Sequence, residues 1–252
     1  MNITTNNNLI TFDKLNEQNI INCFTLKPYN FKDYQNNSIK DEQFDKIFNE
    51  LNVNIKAIKK PNQTHTNIVK VLDENNLDDS FLNTDGLITN LKNVALVTTL
   101  ADCQGILLYD KEKEVIGNIH SGWKGTLNRI VENAINLMIE TYNCNPMNIQ
   151  AFITPSILKC CFEVDKEVVD MFKNNFNNID DLITLGQIKD NKQKYYIDTV
   201  EINKRVLMNL GLKEENINTP TICSKCNDNI HSYRREGNNS GRNIALICMM
   251  ES

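Results

Sequence analysis

The chain has 252 residues, a formal net charge of −5 and 40% hydrophobic residues. A chain of this length can bury a sizeable core, in one large domain or two small ones. No Pro/Gly/Ser-rich stretch and no internal repeat divides it, so we predict a single domain over 1–252. The acidic balance argues against nucleic acid as a partner. No apolar run approaches the roughly 18 residues that span a bilayer, so we expect no membrane segment.

The first residues, Met1–Asn8, lack the basic start and apolar core of a signal peptide. We therefore expect a cytoplasmic protein. Its eight cysteines are then not expected to form a disulfide framework, and most should be small buried hydrophobic residues.

The first predicted helix is Asp41–Leu51, where Phe44, Ile47, Phe48 and Leu51 recur at helical spacing. Val94–Leu100 is a continuous apolar, β-branched run typical of a buried strand. Two short apolar runs follow, separated by five charged residues that suit a turn. They are Gly105–Tyr109 and Val115–Ile119, and we predict that they form a hairpin.

The second half of the chain alternates helices and strands. Thr126–Tyr142 is the strongest amphipathic pattern and predicts one helix. Asp198 is a candidate N-cap with Glu201 three residues later, and Gly211 suits the helix end. The remaining predictions are a strand at Ile149–Ile153, a helix at Lys166–Phe176 and a strand at Ile244–Met249. The pattern indicates an α/β fold with a mixed sheet.

Polar, reactive side chains follow two of these strands. Asp102 and Cys103 come directly after Val94–Leu100, and His120 follows Val115–Ile119. Antiparallel pairing of the hairpin would bring Cys103 and His120 to the same end. Such a pair suits either a nucleophile with its base or two zinc ligands. Taken singly, Cys103 could be a buried cysteine beside a turn, and His120 could be a histidine at the start of a helix.

Other candidate residues lie in loops. His65 is one of only three histidines and would be a solvated loop residue unless it is a third metal ligand. Arg234, Arg235 and Arg242 fall in one glycine-containing window, which suits phosphate binding or a solvated charged turn. Cys223 and Cys226 have the spacing of half a zinc ribbon, but no second pair follows at a suitable distance. The adjacent Cys160 and Cys161 are read as structural or pocket-lining.

Five motifs in order resemble those of the laccase-domain family of YfiH-type proteins, over most of the chain from about residue 63 onward. The motifs are Gln63-Thr64-His65, Leu100-Ala101-Asp102-Cys103, Ile119-His120-Ser121-Gly122-Trp123-Lys124-Gly125, Cys160-Cys161-Phe162-Glu163-Val164, and Ser232-Tyr233-Arg234-Arg235-Glu236-Gly237 with Ser240-Gly241-Arg242. This sequence departs from the family pattern at Thr66, at Gly105 and at Phe24-Thr25-Leu26-Lys27, where an arginine and two glycines are missing.

The resemblance implies an α-β-β-α sandwich and a zinc ion, with copper as an alternative, held by His65, Cys103 and His120. It implies phosphorolysis of adenosine, inosine and S-methyl-5′-thioadenosine, with adenosine deamination as a side activity. Purine nucleoside and phosphate would be the partners of a monomer or small homo-oligomer. The residues expected to act are Cys103, His120 and Asp102 in catalysis, and Arg234, Arg235, Arg242 and Lys124 in anion binding.

Three other functions remain open on the sequence. One is a copper-dependent polyphenol oxidase, which would use the same ligand types. Another is a metal-free cysteine hydrolase with Cys103 as nucleophile and His120 as base. The third is a partner protein that keeps the fold without an activity.

Overall fold

A computed structural model describes residues 3–34 and 42–251, and its centre is a pair of six-stranded mixed sheets. In chain order the strands are β1 (Ile3–Asn6), β2 (Leu9–Phe12), β3 (Ile20–Thr25), β4 (Ala57–Lys59), β5 (Val69–Val71), β6 (Gly86–Thr89), β7 (Val94–Leu100), β8 (Gln104–Asp110), β9 (Val115–Ser121), β10 (Ile149–Ile153), β11 (Glu163–Asp165), β12 (Ile183–Lys189), β13 (Lys192–Ile197), β14 (Ile217–Asn218) and β15 (Asn243–Met249). The helices are α1 (Asp13–Asn16), α2 (Glu42–Leu51), α3 (Trp123–Leu127), α4 (Ile130–Tyr142), α5 (Lys166–Asn175), α6 (Thr199–Asn209) and α7 (Tyr233–Glu236).

The first sheet has the order β1-β2-β3-β15-β7-β4, and the second has the order β14-β10-β8-β9-β6-β5. Most neighbours are antiparallel, but β4 runs parallel to β7, β5 to β6 and β14 to β10. A third sheet, β11-β13-β12, is small. The predicted α/β class with mixed sheets is confirmed.

Three hydrophobic cores show that the layers are stacked α-β-β-α. Leu107 of β8 joins Leu96 of β7 in a core between the two large sheets. The alternate residue Ile106 faces a core under α4, α5 and α6. Val97 faces the opposite way, toward α2. Both faces of both sheets are therefore covered, which explains why the strands read as continuous apolar runs.

Most predicted elements are confirmed. The strands β7, β10 and β15 and the hairpin β8–β9 lie where the sequence places them, within one or two residues. The Asp198 side chain accepts a hydrogen bond from the Glu201 N–H at 2.9 Å, and Gly211 ends the helix region at a φ of 98°. The predicted start of α2, Asp41, lies outside the described residues.

The single helix predicted over Thr126–Tyr142 is wrong, because it is divided into α3 and α4. Arg129 adopts a left-handed conformation at the break, with φ 58° and ψ 44°. Its guanidinium donates to the Asn175 carbonyl oxygen at 2.8 Å and lies 4.5 Å from the centroid of the Phe176 ring. The contacts that hold Arg129 at the break thus come from the end of α5 and the residue after it. The hydrophobic periodicity of the segment gives no sign of these contacts.

A buried amide joins the two large sheets. Asn118 of β9 donates to the carbonyl oxygens of Leu96 at 2.9 Å and Ala245 at 2.8 Å, both in the opposite sheet. Its side-chain oxygen accepts from the Thr98 hydroxyl at 2.8 Å. Asn118 and Thr98 are fully buried, so these bonds replace all contact with water. The contact fixes how the sheets face each other, and both sheets contribute to the site described below.

We expect Asn118→Ala to lower the free energy of unfolding by about 2–3 kcal/mol, because it leaves the Thr98 hydroxyl without its acceptor in a dry interior. Urea denaturation measures this. The matched control is Asn209→Ala on the exposed side of α6, which should change stability by less than about 0.5 kcal/mol. If the two variants had the same free energy of unfolding, the stabilising role given to Asn118 would be contradicted.

Candidate metal centre and its cleft

The β8–β9 hairpin brings Cys103 and His120 together. Gly105 pairs with His120 and Gln104 with Ser121 in the antiparallel register. Cys103 comes one residue before β8, and His120 is the penultimate residue of β9. The predicted proximity of the two side chains is confirmed.

His65 reaches the same place because its loop folds around a buried carboxylate. The Asp85 oxygens accept backbone hydrogen bonds from Thr64 at 3.2 Å, His65 at 3.0 Å and Thr66 at 2.8 Å. They also accept from the Thr66 hydroxyl at 2.7 Å. His65 itself has a left-handed backbone, with φ 62°. The conformation of the loop that carries His65 thus depends on Asp85.

Asp85 also holds the second histidine. Its Oδ1 lies 2.7 Å from Nδ1 of His120, and both side chains are buried. Because Nδ1 is engaged, Nε2 is the ring nitrogen left to face Cys103. Burial alone would raise the pKa of Asp85, but the hydrogen bonds from His120 and Thr66 outweigh it and lower that pKa to about 2. Carboxylates commonly orient histidine ligands of metals in this way.

The three side chains present converging donor atoms. One donor atom each from His65, Cys103 and His120 lie within 4.8 Å of one another. His65 Nε2 is 3.9 Å from Cys103 Sγ, and the two imidazole rings stand edge to face with centroids 4.9 Å apart. Two imidazoles and one thiolate suit zinc or copper and leave a fourth position open. The donor set and its spacing therefore fit a metal ion.

Gly122 makes room for this cluster. A Cβ at this position would lie 2.9 Å from His65 Cδ2 and 3.1 Å from Cys103 Sγ. Any side chain at this position would displace one of the candidate ligands, so the close approach requires glycine.

Cys103 and His120 polarise each other. Burial opposes charge on both side chains. The positive charge of His120 nevertheless lowers the pKa of the Cys103 thiol to about 6, with a further contribution from His65. The Cys103 thiolate and Asp85 together raise the pKa of His120 to about 9. Near neutral pH the ligand-free pair is thus a thiolate beside an imidazolium.

A cleft of about 650 Å³ opens onto the three candidate ligands. This volume is in the range of small-molecule sites. Its walls carry the aromatic rings of Trp123, Phe162 and Tyr233 and the cations of Lys124, Arg234 and Arg242. Lys124 is exposed, with its ammonium 5.7 Å from the centroid of the Trp123 ring.

The arginines of the 234–242 window do different things. Arg242 reaches the cleft while donating to the carbonyl oxygens of Ser240 and Gly241. Arg234 also lines the cleft and donates to the carbonyl oxygens of Cys161 and Glu163. Arg235 does not line it. Its guanidinium is directed at Glu236 and at the backbone carbonyl oxygens of Ser224, Lys225, Asn227 and Ile230.

Asp102 lines the cleft, and its carboxylate hydrogen-bonds to groups other than a histidine. Its carboxylate accepts from the Ser224 hydroxyl at 2.6 Å and from the Arg234 N–H at 2.6 Å. Asp85 takes the place beside His120 instead. Asp85 carries no local signal of this role, because Thr84-Asp85-Gly86 has the composition of an ordinary turn before a strand.

The fold and the site define a class: a four-layer α/β protein with a cluster of two histidines and one cysteine, suited to a metal ion, at the end of a hairpin. The chain belongs to the family described as multi-copper polyphenol oxidoreductase laccase, whose model matches residues 30–250.

The chain is also similar in sequence to named proteins, and it shares its fold with a solved structure. The chain is 35% identical over 170 residues to purine nucleoside phosphorylase YlmD of Bacillus subtilis strain 168, covering 67% of this chain and 60% of that protein. It is 33% identical over 206 residues to adenosine deaminase RL5 of an unknown prokaryotic organism, covering 79% and 77%. The fold matches the crystal structure of Bacillus licheniformis YfiH, a hypothetical protein, with a TM-score of 0.84, 24% identity and 98% of both chains covered. Within residues 3–34 and 42–251, no helix is long and apolar enough to cross a membrane.

After removal of metal, we expect iodoacetamide to alkylate Cys103 with a pH midpoint of about 6, because the thiolate forms as pH rises through the thiol's pKa. His120→Gln should move the midpoint above the usual thiol value of about 8.5, because burial then acts without the imidazolium charge. Mass spectrometry of the labelled peptide measures both. The internal control is the buried Cys144, whose pKa is raised to about 12. An unchanged Cys103 midpoint in His120→Gln would contradict the coupling.

Proposed function

We propose that this chain is a metal-dependent purine nucleoside phosphorylase that acts on adenosine, inosine and S-methyl-5′-thioadenosine and can also deaminate adenosine. The observation that carries the proposal is the cluster of His65, Cys103 and His120 at the base of a cleft with cationic and aromatic walls. The names of the relatives, purine nucleoside phosphorylase and adenosine deaminase, support the substrate class.

Zinc is the proposed ion, with copper as the alternative, and His65, Cys103 and His120 would hold it. When bound, such an ion supplies Lewis-acid stabilisation of developing negative charge or an activated water. Asp85 keeps His120 in the required orientation through Nδ1. Because a metal takes the neutral imidazole and the thiolate, binding would release the proton that His120 holds beside Cys103.

The cleft residues would position the two substrates. Lys124 and Arg242 would bind phosphate, and the rings of Trp123, Phe162 and Tyr233 would pack against the purine. A phosphate oxygen forms a bond to ribose C1′ while the C1′–nitrogen bond to the purine breaks. The bond's electron pair leaves with the purine, which takes up a proton. Holding both substrates in register would supply much of the rate enhancement.

The four cations that the sequence predicts for anion binding differ in their position relative to the cleft. Lys124 and Arg242 line the cleft, whereas Arg235 does not and has its guanidinium bonded to backbone carbonyl oxygens. We therefore propose Lys124 and Arg242, rather than Arg235, as the phosphate ligands. Lys27 of the altered N-terminal motif forms an ion pair with Glu236 at 2.9 Å and does not line the cleft.

The first test is inosine incubated with and without phosphate. We expect hypoxanthine release to require phosphate and to yield ribose 1-phosphate in equal amount. Lys124→Met should raise the KM for phosphate by about tenfold or more, because it removes a charge-assisted hydrogen bond. The matched control is Lys111→Met, in the turn at the opposite end of the β8–β9 hairpin, which should leave the KM unchanged. Release that ignores phosphate would refute phosphorolysis.

The second test separates the ligands from their support. Asp85→Asn keeps the side-chain size but removes the charge that orients His120, so we expect zinc affinity to fall about 10- to 100-fold. Competition with a chromophoric chelator measures this. Asp102→Asn is the matched control, because Asp102 contacts Ser224 and Arg234 instead of a ligand. Equal affinities of the two variants would contradict the role given to Asp85.

The family description favours one rival, a copper polyphenol oxidase. Among the residues that the structure describes, a single cluster contains histidine, whereas full reduction of oxygen uses several copper centres. Metal analysis after chelator-free purification discriminates, since bound zinc without copper argues against an oxidase.

The thiolate–imidazolium pair favours a second rival, a metal-free cysteine hydrolase. Activity that survives complete chelation would support it.

A further inference from the structure

Four of the eight cysteines meet at a second place in the fold. Cys160 and Cys161 lie between β10 and β11, and Cys223 and Cys226 lie in the loop after β14. The four sulfur atoms lie within 4.8 Å of one another, and Cys161 Sγ is 3.4 Å from Cys226 Sγ although these residues are 65 positions apart. Three of the other cysteines are dispersed in the hydrophobic cores, and Cys103 belongs to the first centre.

Backbone contacts hold the two cysteine loops against each other. Ser156 and Cys223 form an isolated parallel bridge, and the Ser224 N–H donates to the Ser156 carbonyl oxygen at 2.9 Å. The Leu158 N–H points at the Cys223 sulfur, 3.5 Å away. Cys226 donates its N–H to the Cys223 carbonyl oxygen at 3.2 Å, which closes a tight turn and directs both sulfurs to one side. Amides aimed at a sulfur stabilise it as a thiolate.

Two arginines clamp these loops from the neighbouring helix α7. Arg234 donates to the carbonyl oxygens of Cys161, on the first loop, and of Glu163, where β11 begins. Arg235 donates to those of Ser224 and Lys225, on the second. The cysteine positions are therefore set by the fold and not by chance contact of mobile loops.

We propose that Cys160, Cys161, Cys223 and Cys226 bind a structural zinc ion, separate from the centre at His65, Cys103 and His120. Four thiolates with no histidine or carboxylate form a soft, closed donor set, which is typical of structural zinc. A tetrahedral site with Zn–S bonds of about 2.3 Å has sulfur–sulfur edges of roughly 3.8 Å. The observed spacing needs only small side-chain adjustments to reach this geometry.

The ion would brace one wall of the cleft. Ser224, inside the Cys223–Cys226 turn, donates its hydroxyl to Asp102, the neighbour of Cys103. Asp102 also accepts from the Arg234 N–H, and the Arg234 side chain holds the Cys160–Cys161 loop. Zinc at the four cysteines would thus fix Asp102 and Arg234 without touching substrate. The role is one of positioning, and its test does not depend on nucleoside turnover.

Metal stoichiometry tests the proposal. We expect two zinc ions per wild-type chain purified under reducing, chelator-free conditions, and one in His65→Ala/Cys103→Ala, where the first centre is lost. Adding Cys161→Ser and Cys226→Ser to that variant should remove the remaining ion and lower Tm by about 4 °C or more. The matched control adds Cys144→Ala instead, a buried cysteine outside both clusters, and should keep one ion.

Two further measurements test the proposal if the variant with four substitutions fails to fold. In wild-type protein, stepwise titration with an organic mercurial should release two zinc ions, one as Cys103 reacts and one as the cluster thiols react. Cobalt added to metal-free His65→Ala/Cys103→Ala should give the intense sulfur-to-cobalt charge-transfer absorption of a four-thiolate site. Weakening of the charge-transfer band on adding Cys161→Ser, which removes one of the four thiolates, would agree with this. Four free thiols without metal, disulfides found by mass spectrometry under non-reducing conditions, or zinc content indifferent to the cysteine changes would each overturn the proposal.

Discussion

The candidate centre depends on one buried carboxylate. Asp85 accepts three backbone N–H groups from the loop that carries His65, and it holds His120 through Nδ1. A charge this deep in the protein would be costly without partners. Here each oxygen is hydrogen-bonded, and its pKa falls to about 2 in spite of burial. The same group therefore shapes the loop, orients one ligand and, together with Cys103, raises the pKa of the imidazole.

The two large sheets explain why such a centre can be rigid. Cys103 and His120 lie at one end of the β8–β9 hairpin, which is hydrogen-bonded on both sides within its sheet. The amide of Asn118 ties that hairpin to the opposing sheet. The loop after β7 supplies Asp102 and Cys103, so both sheets reach the cleft. Sites built on strand ends are held more accurately than sites within long loops.

The arginine-rich window is more structural than its composition indicates. The Arg235 guanidinium donates hydrogen bonds to carbonyl oxygens of a neighbouring loop. The Arg234 guanidinium donates to two carbonyl oxygens beside the cleft. Guanidinium groups suit this because their planar donors can satisfy several acceptors at once. The four-cysteine cluster lies between the loops that these arginines hold. Cleft architecture and metal binding are thus linked on this side of the molecule.

The sequence by itself determined what local patterns encode. Apolar runs and turn composition predicted β7, the β8–β9 hairpin and β15, and antiparallel register alone brought Cys103 to His120. His65 is predicted as a ligand only because Gln63-Thr64-His65 resembles a family motif, since a histidine in a loop shows no periodic pattern. Only the tertiary structure decided the break at Arg129, the role of Asp85 and the meeting of Cys160 and Cys161 with Cys223 and Cys226. In each case the deciding contacts join segments far apart in the chain, and no local spacing records which distant segment will face a given side chain.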